Sequence, residues 1–159
     1  LFQALTSAHW RYVFLEFYRI LESIFYLPWV LDLKVAGGIT MRASALKASC
    51  RSSLQWRESQ RPSMERLFGM LAGDAKLDAV EDKLECFKDL KNARDFKRSH
   101  LGSRIYTIRN SLVHHEDYED QKAYVLRDDQ WRWLALYLAL VIDRIYQEHE
   151  RDLTLAATI

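Results

Sequence analysis

Glycine, proline and cysteine are scarce, with five, two and two among 159 residues. So few breakers and tight-turn formers argue against a β-rich domain and for long, uninterrupted elements. Cys50 and Cys86 have no second cysteine or histidine at ligand spacing, so neither a zinc site nor a disulfide framework is expected, and a reducing cytoplasm is the expected compartment. His9, His100 and His149 share no metal-ligand spacing either, and no cofactor or metal is expected. A glycine-rich phosphate loop is missing, which leaves ATP hydrolysis without support. Ser44, Ser49, Ser52, Ser53 and Ser59 lie in no Gly-x-Ser-x-Gly elbow, which argues against a serine hydrolase. The longest apolar runs, Ile24 to Leu31 and Trp133 to Ile142, fall far short of the ~20 residues of a membrane span. No secretory signal pattern is visible, and no membrane partner is expected.

Apolar and aromatic residues are plentiful: 49% of the chain is hydrophobic, with five Trp, eight Tyr and seven Phe. That is enough for a sizeable core, and the length fits one domain over residues 1–159. The first residue is Leu1 rather than Met and the last seven are mostly apolar, so the reading expects a domain cut from a longer polypeptide or a processed form. The expected class is all-α, an up-and-down bundle of four or five helices with short connections.

Helical periodicity places the elements. Residues 5–33 read as a long first helix with Trp10, Val13, Phe14, Phe17, Leu21, Ile24 and Pro28 on one stripe, and Pro28 is expected to kink or end it. A second apolar face, Leu15, Tyr18, Phe25 and Trp29, has Glu22 in its middle. A carboxylate among aromatics must be paired or raised in pKa. Two readings stay open: Glu22 pairs with Arg109, or it reaches solvent beside Arg19. Gly37-Gly38 marks a turn, residues 39–58 a second helix, and Pro62 or Ser63 opens a short helix to about Leu71. Gly73-Asp74 is another break. Leu77, Val80, Leu84, Phe87 and Leu90 predict a continuous helix over 76–96, after which Ser99 or a neighbour caps the next one. A brief extended stretch, 123–126, precedes Asp128-Asp129 as N-cap of a final helix to about Asp152. The core stripe of that helix is Trp131, Leu134, Leu138, Val141 and Ile145. Trp133, Leu136, Tyr137 and Leu140 widen it nearly all round, as in a central helix or a subunit contact.

Charge is nearly balanced, 23 Lys plus Arg against 22 Asp plus Glu, so global attraction to nucleic acid is not indicated. Between Lys83 and Arg109, however, eight basic residues face three acidic ones. Such a local excess suits a phosphate backbone, although a solvated helix face balanced by the acidic stretch after His115 explains it equally well.

The most informative segment is Ile105-Tyr-Thr-Ile-Arg109-Asn110-Ser-Leu-Val-His114-His115. Leu101, Ile105, Ile108 and Leu112 form its buried stripe, which leaves Arg109 at the edge and Asn110 beyond. Asn110 and His114, four apart, stack on one face, so the amide is placed to fix the imidazole tautomer. Arg109 and His114 are five apart, about 140° around an ideal axis, and share a cleft only if the last turn loosens. The acidic residues from Glu116 to Asp120 suit a helix C-terminus poorly, and fraying is expected over 113–115.

The pattern Arg109-Asn110-x-x-x-His114, after an apolar run and before a second His, resembles the signature of the HEPN superfamily (higher eukaryotes and prokaryotes nucleotide-binding). The resemblance covers most of the chain in architecture and about six residues in identity. It implies a metal-independent endoribonuclease site, completed across a homodimer, in which an acidic or polar residue of the first helix, here Glu22, lines the site. It also implies an effector of a toxin or antiphage defence system, held in check by a regulatory domain or an antitoxin partner. Imidazole titrates near neutrality and suits general acid–base work, so His114 takes that role. Guanidinium stays charged and forks onto phosphate, so Arg109 is the clamp. Asn110 orients His114 or a phosphate oxygen. The candidate RNA contacts are Arg94, Lys97, Arg98, Arg104 and His115. Two other readings stand beside this one: a polar cluster that caps the motif helix and ties it to Glu22, and a non-catalytic HEPN-like dimerisation or nucleotide- or RNA-binding module.

Overall fold

The computed structural model describes residues 2–113 and 126–153, and side chains from His9 onward. All regular structure among them is helical: α1 (Phe2–Ser23), α2 (Leu27–Gly37), α3 (Ala43–Leu54), α4 (Gln60–Met70), α5 (Ala75–Glu81), a 3-10 turn (Glu85–Phe87), α6 (Lys88–Lys91), α7 (Ser99–Val113) and α8 (Asp128–Leu153). Two pairings dominate, α1 on α8 and α4 on α7. No helix among the described residues is long and apolar enough to cross a membrane.

The α1–α8 pair forms because each helix carries a stripe that water rejects. Phe14, Tyr18 and Leu21 of α1 and Trp131, Leu134, Leu138, Val141 and Ile145 of α8 are all buried, and Phe14 meets the Trp131 ring edge-on at 5.5 Å. The broad girdle expected on α8 is only half covered: Tyr137 is buried, Trp133 and Leu140 partly so, and Leu136 is exposed. Asp152, at the far end of α8, accepts the Ala43 N–H at 3.2 Å and pairs with Lys34. That one carboxylate caps α3 and ties three helices together.

The first helix breaks earlier than Pro28. A proline ring excludes the carbonyl four residues back, here that of Ile24, which instead accepts the Leu27 N–H at 2.9 Å in a tighter turn. Pro28 then sits in the first turn of α2, where its missing N–H costs nothing. Gly38 closes α2 at φ 61°, its left-handed backbone directing Ile39 N–H onto Lys34 O at 2.9 Å. The helix expected over 39–58 is shorter at both ends, Ala43–Leu54.

The continuous helix expected over 76–96 is not formed. Helical spacing carries Leu77 and Leu84 on one face, but Cys86 would then point the opposite way, and in the fold Leu84, Cys86 and Phe87 are all buried. The backbone breaks to achieve this, with Leu84 extended at φ −92° and ψ 107°. The polar groups released by the break are recovered by Gln130, whose buried carboxamide accepts the Glu85 N–H at 2.8 Å and donates to Lys83 O at 3.2 Å.

Helices α4 and α7 approach closely at Gly102. A Cβ there would stand 2.6 Å from the Met64 carbonyl oxygen, so no side chain fits without moving α4. This contact sets the position of the helix that bears Arg109.

Candidate functional site

Arg109 lies near the C-terminal end of α7 and leans toward α1. Its Nη2 is 3.6 Å from Glu22 Oε1, its Nη1 donates to Asn110 Oδ1 at 3.1 Å, and its guanidinium carbon is 5.4 Å from the centre of the Tyr18 ring. Of the two readings left open for Glu22, the pairing with Arg109 is the one found, while Arg19 pairs with Glu16 at 2.6 Å. Tyr18 and Glu22 are four apart on α1, so one helical face supplies both the aromatic plate and the carboxylate.

The pair is only partly covered. The Arg109 and Glu22 side chains keep 20% and 27% of their exposure, enough to leave the guanidinium reachable from solvent. Tyr18 is buried and its hydroxyl has no hydrogen-bond partner among the described residues. Burial first, and the neighbouring Glu22 carboxylate second, push the phenol well above its ordinary pKa against the opposing pull of Arg109. Tyr18 therefore stays a neutral donor beside the charged pair.

The Asn110 carboxamide oxygen is engaged by Arg109, so it steadies the guanidinium; the contact expected between Asn110 and His114 lies outside the described residues. His114 and His115, the imidazoles of the motif, lie outside the described residues, as do positions 123–125 of the expected extended stretch.

The candidate RNA contacts divide. Arg94 and Lys97 are exposed. Arg104 pairs with Asp89 at 2.6 Å and donates to Cys86 O at 2.8 Å, and its side chain is 12% exposed. Arg98 cannot serve as a surface contact. Its side chain is 5% exposed; its guanidinium reaches Asp78 at 2.5 Å, the Leu71 carbonyl and the Asp74 carbonyl, and its Nε lies 2.8 Å from Glu81 Oε1. Glu81 is itself buried and accepts the Tyr137 hydroxyl at 2.7 Å. Arg98 thus fastens α5 and the end of α4 to the start of α7, and no phosphate competes for a cation already enclosed by these partners. Sequence reasoning missed Glu81 and Tyr137 because nothing local marks either as polar core.

The same reasoning missed a second basic cleft, between α4 and α7. It has a volume of about 530 Å³ and is lined by Arg61, Glu65, Lys97, His100, Ser103 and Arg104 among others. Arg61 Nε bridges the two helices, donating to Ser103 Oγ at 2.8 Å and pairing with Glu65 at 3.3 Å. No group of three or more His, Cys, Asp or Glu among the described residues is placed to hold a metal ion. No protein-family model, curated protein or solved structure matches the chain.

Proposed function

We propose that the chain is a HEPN-type helical bundle acting as a metal-independent endoribonuclease, an effector of toxin or antiphage type, with Arg109, Asn110 and His114 as its working residues and a homodimer completing the site. The observation that carries this reading is the placement of Arg109: a permanent cation at the end of α7, steadied by Glu22, Asn110 and the Tyr18 ring, and still open to solvent. A guanidinium held this way is preorganised for the charge that builds on a phosphorane-like transition state.

In the proposed reaction the ribose 2′-oxygen attacks the adjacent phosphorus while a base removes its proton. The bond from phosphorus to the 5′-oxygen breaks, and an acid protonates that oxygen. The products carry a 2′,3′-cyclic phosphate and a 5′-hydroxyl. His114 serves as base or acid. One imidazole does not reach both sides of a single phosphate easily, which is the chemical reason for invoking the histidine of a second copy.

The test is cleavage of total tRNA and of generic single-stranded RNA in EDTA. Wild type should cut both, and a substrate lacking the 2′-hydroxyl should resist. Arg109→Ala and His114→Ala should each lose about a hundredfold or more in rate with helical content unchanged. Full activity in either variant refutes the assignment.

A second reading rests on one specific observation: Glu22 and Asn110 already answer the charge of Arg109 within the protomer. In that reading the cluster is a polar tie between α1 and α7 in a non-catalytic binding or dimerisation module. RNA left intact by wild type, together with a lowered melting temperature for Arg109→Ala, would favour it.

A further inference from the structure

The cleft between α4 and α7 is a built feature with a consistent chemistry. His100, Ser103, Arg104 and Thr107 follow the i, i+3, i+4, i+7 spacing of one helical face and line it together. Three cations, Arg61, Lys97 and Arg104, line it with one carboxylate, Glu65, which Arg61 engages, and Arg104 is paired with Asp89 beside it. The Arg61 side chain is held over α7 by Ser103 Oγ, yet remains 59% exposed.

His100 adds a donor. Its Nδ1 accepts the Lys97 N–H at 3.3 Å, which leaves Nε2 as the nitrogen that carries a ring proton. Ser103 Oγ accepts from Arg61, which leaves its own proton to be given to an anion. Cations, an N–H and an O–H along one wall, with Leu90 the one apolar side chain in a mostly polar lining, match a phosphodiester backbone better than a nucleobase or a peptide. Arg109, nine residues beyond His100, lies about 14 Å along the axis but about 180° around it, so the cleft and the Arg109 cluster occupy different faces of α7.

We infer that this cleft is a backbone subsite for single-stranded RNA, in which Arg61 and Lys97 take phosphate oxygens and His100 and Ser103 donate to them. The substrate class rests on the nuclease reading above; the subsite itself is a statement about binding, and the two fail separately.

The experiment measures fluorescence anisotropy of a labelled 2′-O-methyl single-stranded RNA, which lacks the attacking hydroxyl, over a range of salt concentrations. The proteins are wild type, Arg61→Gln, Lys97→Gln, the double variant and, as a control outside the cleft, Arg151→Gln. Each cleft variant should bind several-fold more weakly. The double variant should lower the slope of log affinity against log salt by about 1.4, from two contacts at ~0.7 each, while the control matches wild type. Lys97 is exposed and, among the described residues, hydrogen-bonded through its backbone, so its single variant reads binding without a change in packing. Failure of wild type to bind, or equal affinity and slope in the double variant, overturns the subsite. Cleavage of unmodified RNA in parallel separates the claims. Weakened binding in the cleft variants with an inert wild type keeps the subsite and sinks the nuclease. Active cleavage with unchanged binding does the reverse.

Discussion

Replacing Gly102 by alanine tests the packing that positions the candidate site. The added Cβ would meet Met64 O at 2.6 Å, Met64 C at 2.9 Å and Glu65 Cα at 3.2 Å. Carbon and oxygen approach comfortably only to about 3.3 Å, so α4 must move away by roughly 0.7 Å, and the obstructing atoms are backbone that no rotamer change can clear. Overpacking of this kind costs about 1–3 kcal/mol, whereas alanine returns up to ~1 kcal/mol in helix propensity. The net expectation is a loss of about 1–2 kcal/mol, or about 2–8 °C in melting temperature for a chain of this size. Gly69 supplies the internal control. It lies in α4, and its Cβ would meet only Ser99 Cβ, at an ordinary 3.9 Å. Gly69→Ala should therefore stabilise by about 0.5–1 kcal/mol. Thermal melts followed by circular dichroism read both. A Gly102→Ala protein as stable as wild type, or shifts of the same sign in the two variants, would refute the close approach of α4 and α7.

Two further outcomes are expected. Arg98→Met takes the close partner from the buried Glu81 carboxylate, leaving Lys91 at 3.8 Å, and should cost about 3 kcal/mol; because Arg98 Nε and Glu81 Oε1 are 2.8 Å apart, Arg98→Met combined with Glu81→Leu should cost clearly less than the sum of the single variants in urea titrations, and strict additivity would contradict the pairing. The hydrogen bond from Arg104 holds Asp89 below the usual carboxylate range against a smaller opposing effect of burial; a carboxylate depressed in the folded state gives stability that is present above its unfolded pKa of about 3.9 and lost as pH falls through the lower folded value, so Asp89→Asn should be slightly less stable than wild type at neutral pH and converge with it below about pH 4, giving a flatter acid limb, while a profile identical to wild type at every pH would show that the pair contributes nothing.

Long stripes were legible because one period is repeated over many turns. Trp131 to Ile145 and Leu101 to Ile108 mark α8 and α7 as helices with one buried face, and the structure buries those residues. The partner of Glu22 was legible for a related reason: a carboxylate at helical spacing among aromatics has to find a cation, and Arg109 was placed to supply one. The break after Glu81 was not legible, since no glycine or proline marks it and the carboxamide that makes it affordable belongs to Gln130, far along the chain. Arg98 read as one more cation in a basic run because burial is decided by Glu81, Asp78 and Tyr137, which only the tertiary fold gathers. The α4–α7 cleft was hidden likewise, because Arg61 and Lys97 meet across two helices.

The two arginine–glutamate pairs differ in a way that separates scaffold from site. Around Arg98 the pair is sealed, with exposures of 5% and 0%, a 2.8 Å contact and further partners on the guanidinium. Removing either charge costs the other its close buried partner, with Asp78 left on Arg98 or the longer Lys91 contact left on Glu81, so the pair resists exchange. Around Arg109 the contact is longer, 3.6 Å, and both side chains keep contact with water. An anion arriving at that guanidinium displaces a loose Coulombic partner, and the Glu22 carboxylate it displaces is already partly hydrated. Exchange therefore costs little on either side, while the ring of Tyr18 and the oxygen of Asn110 hold the cation in place throughout. A guanidinium that is fixed in position but weakly committed in charge is what the proposed transition-state clamp requires, and of these two pairs only the one on α7 has that property.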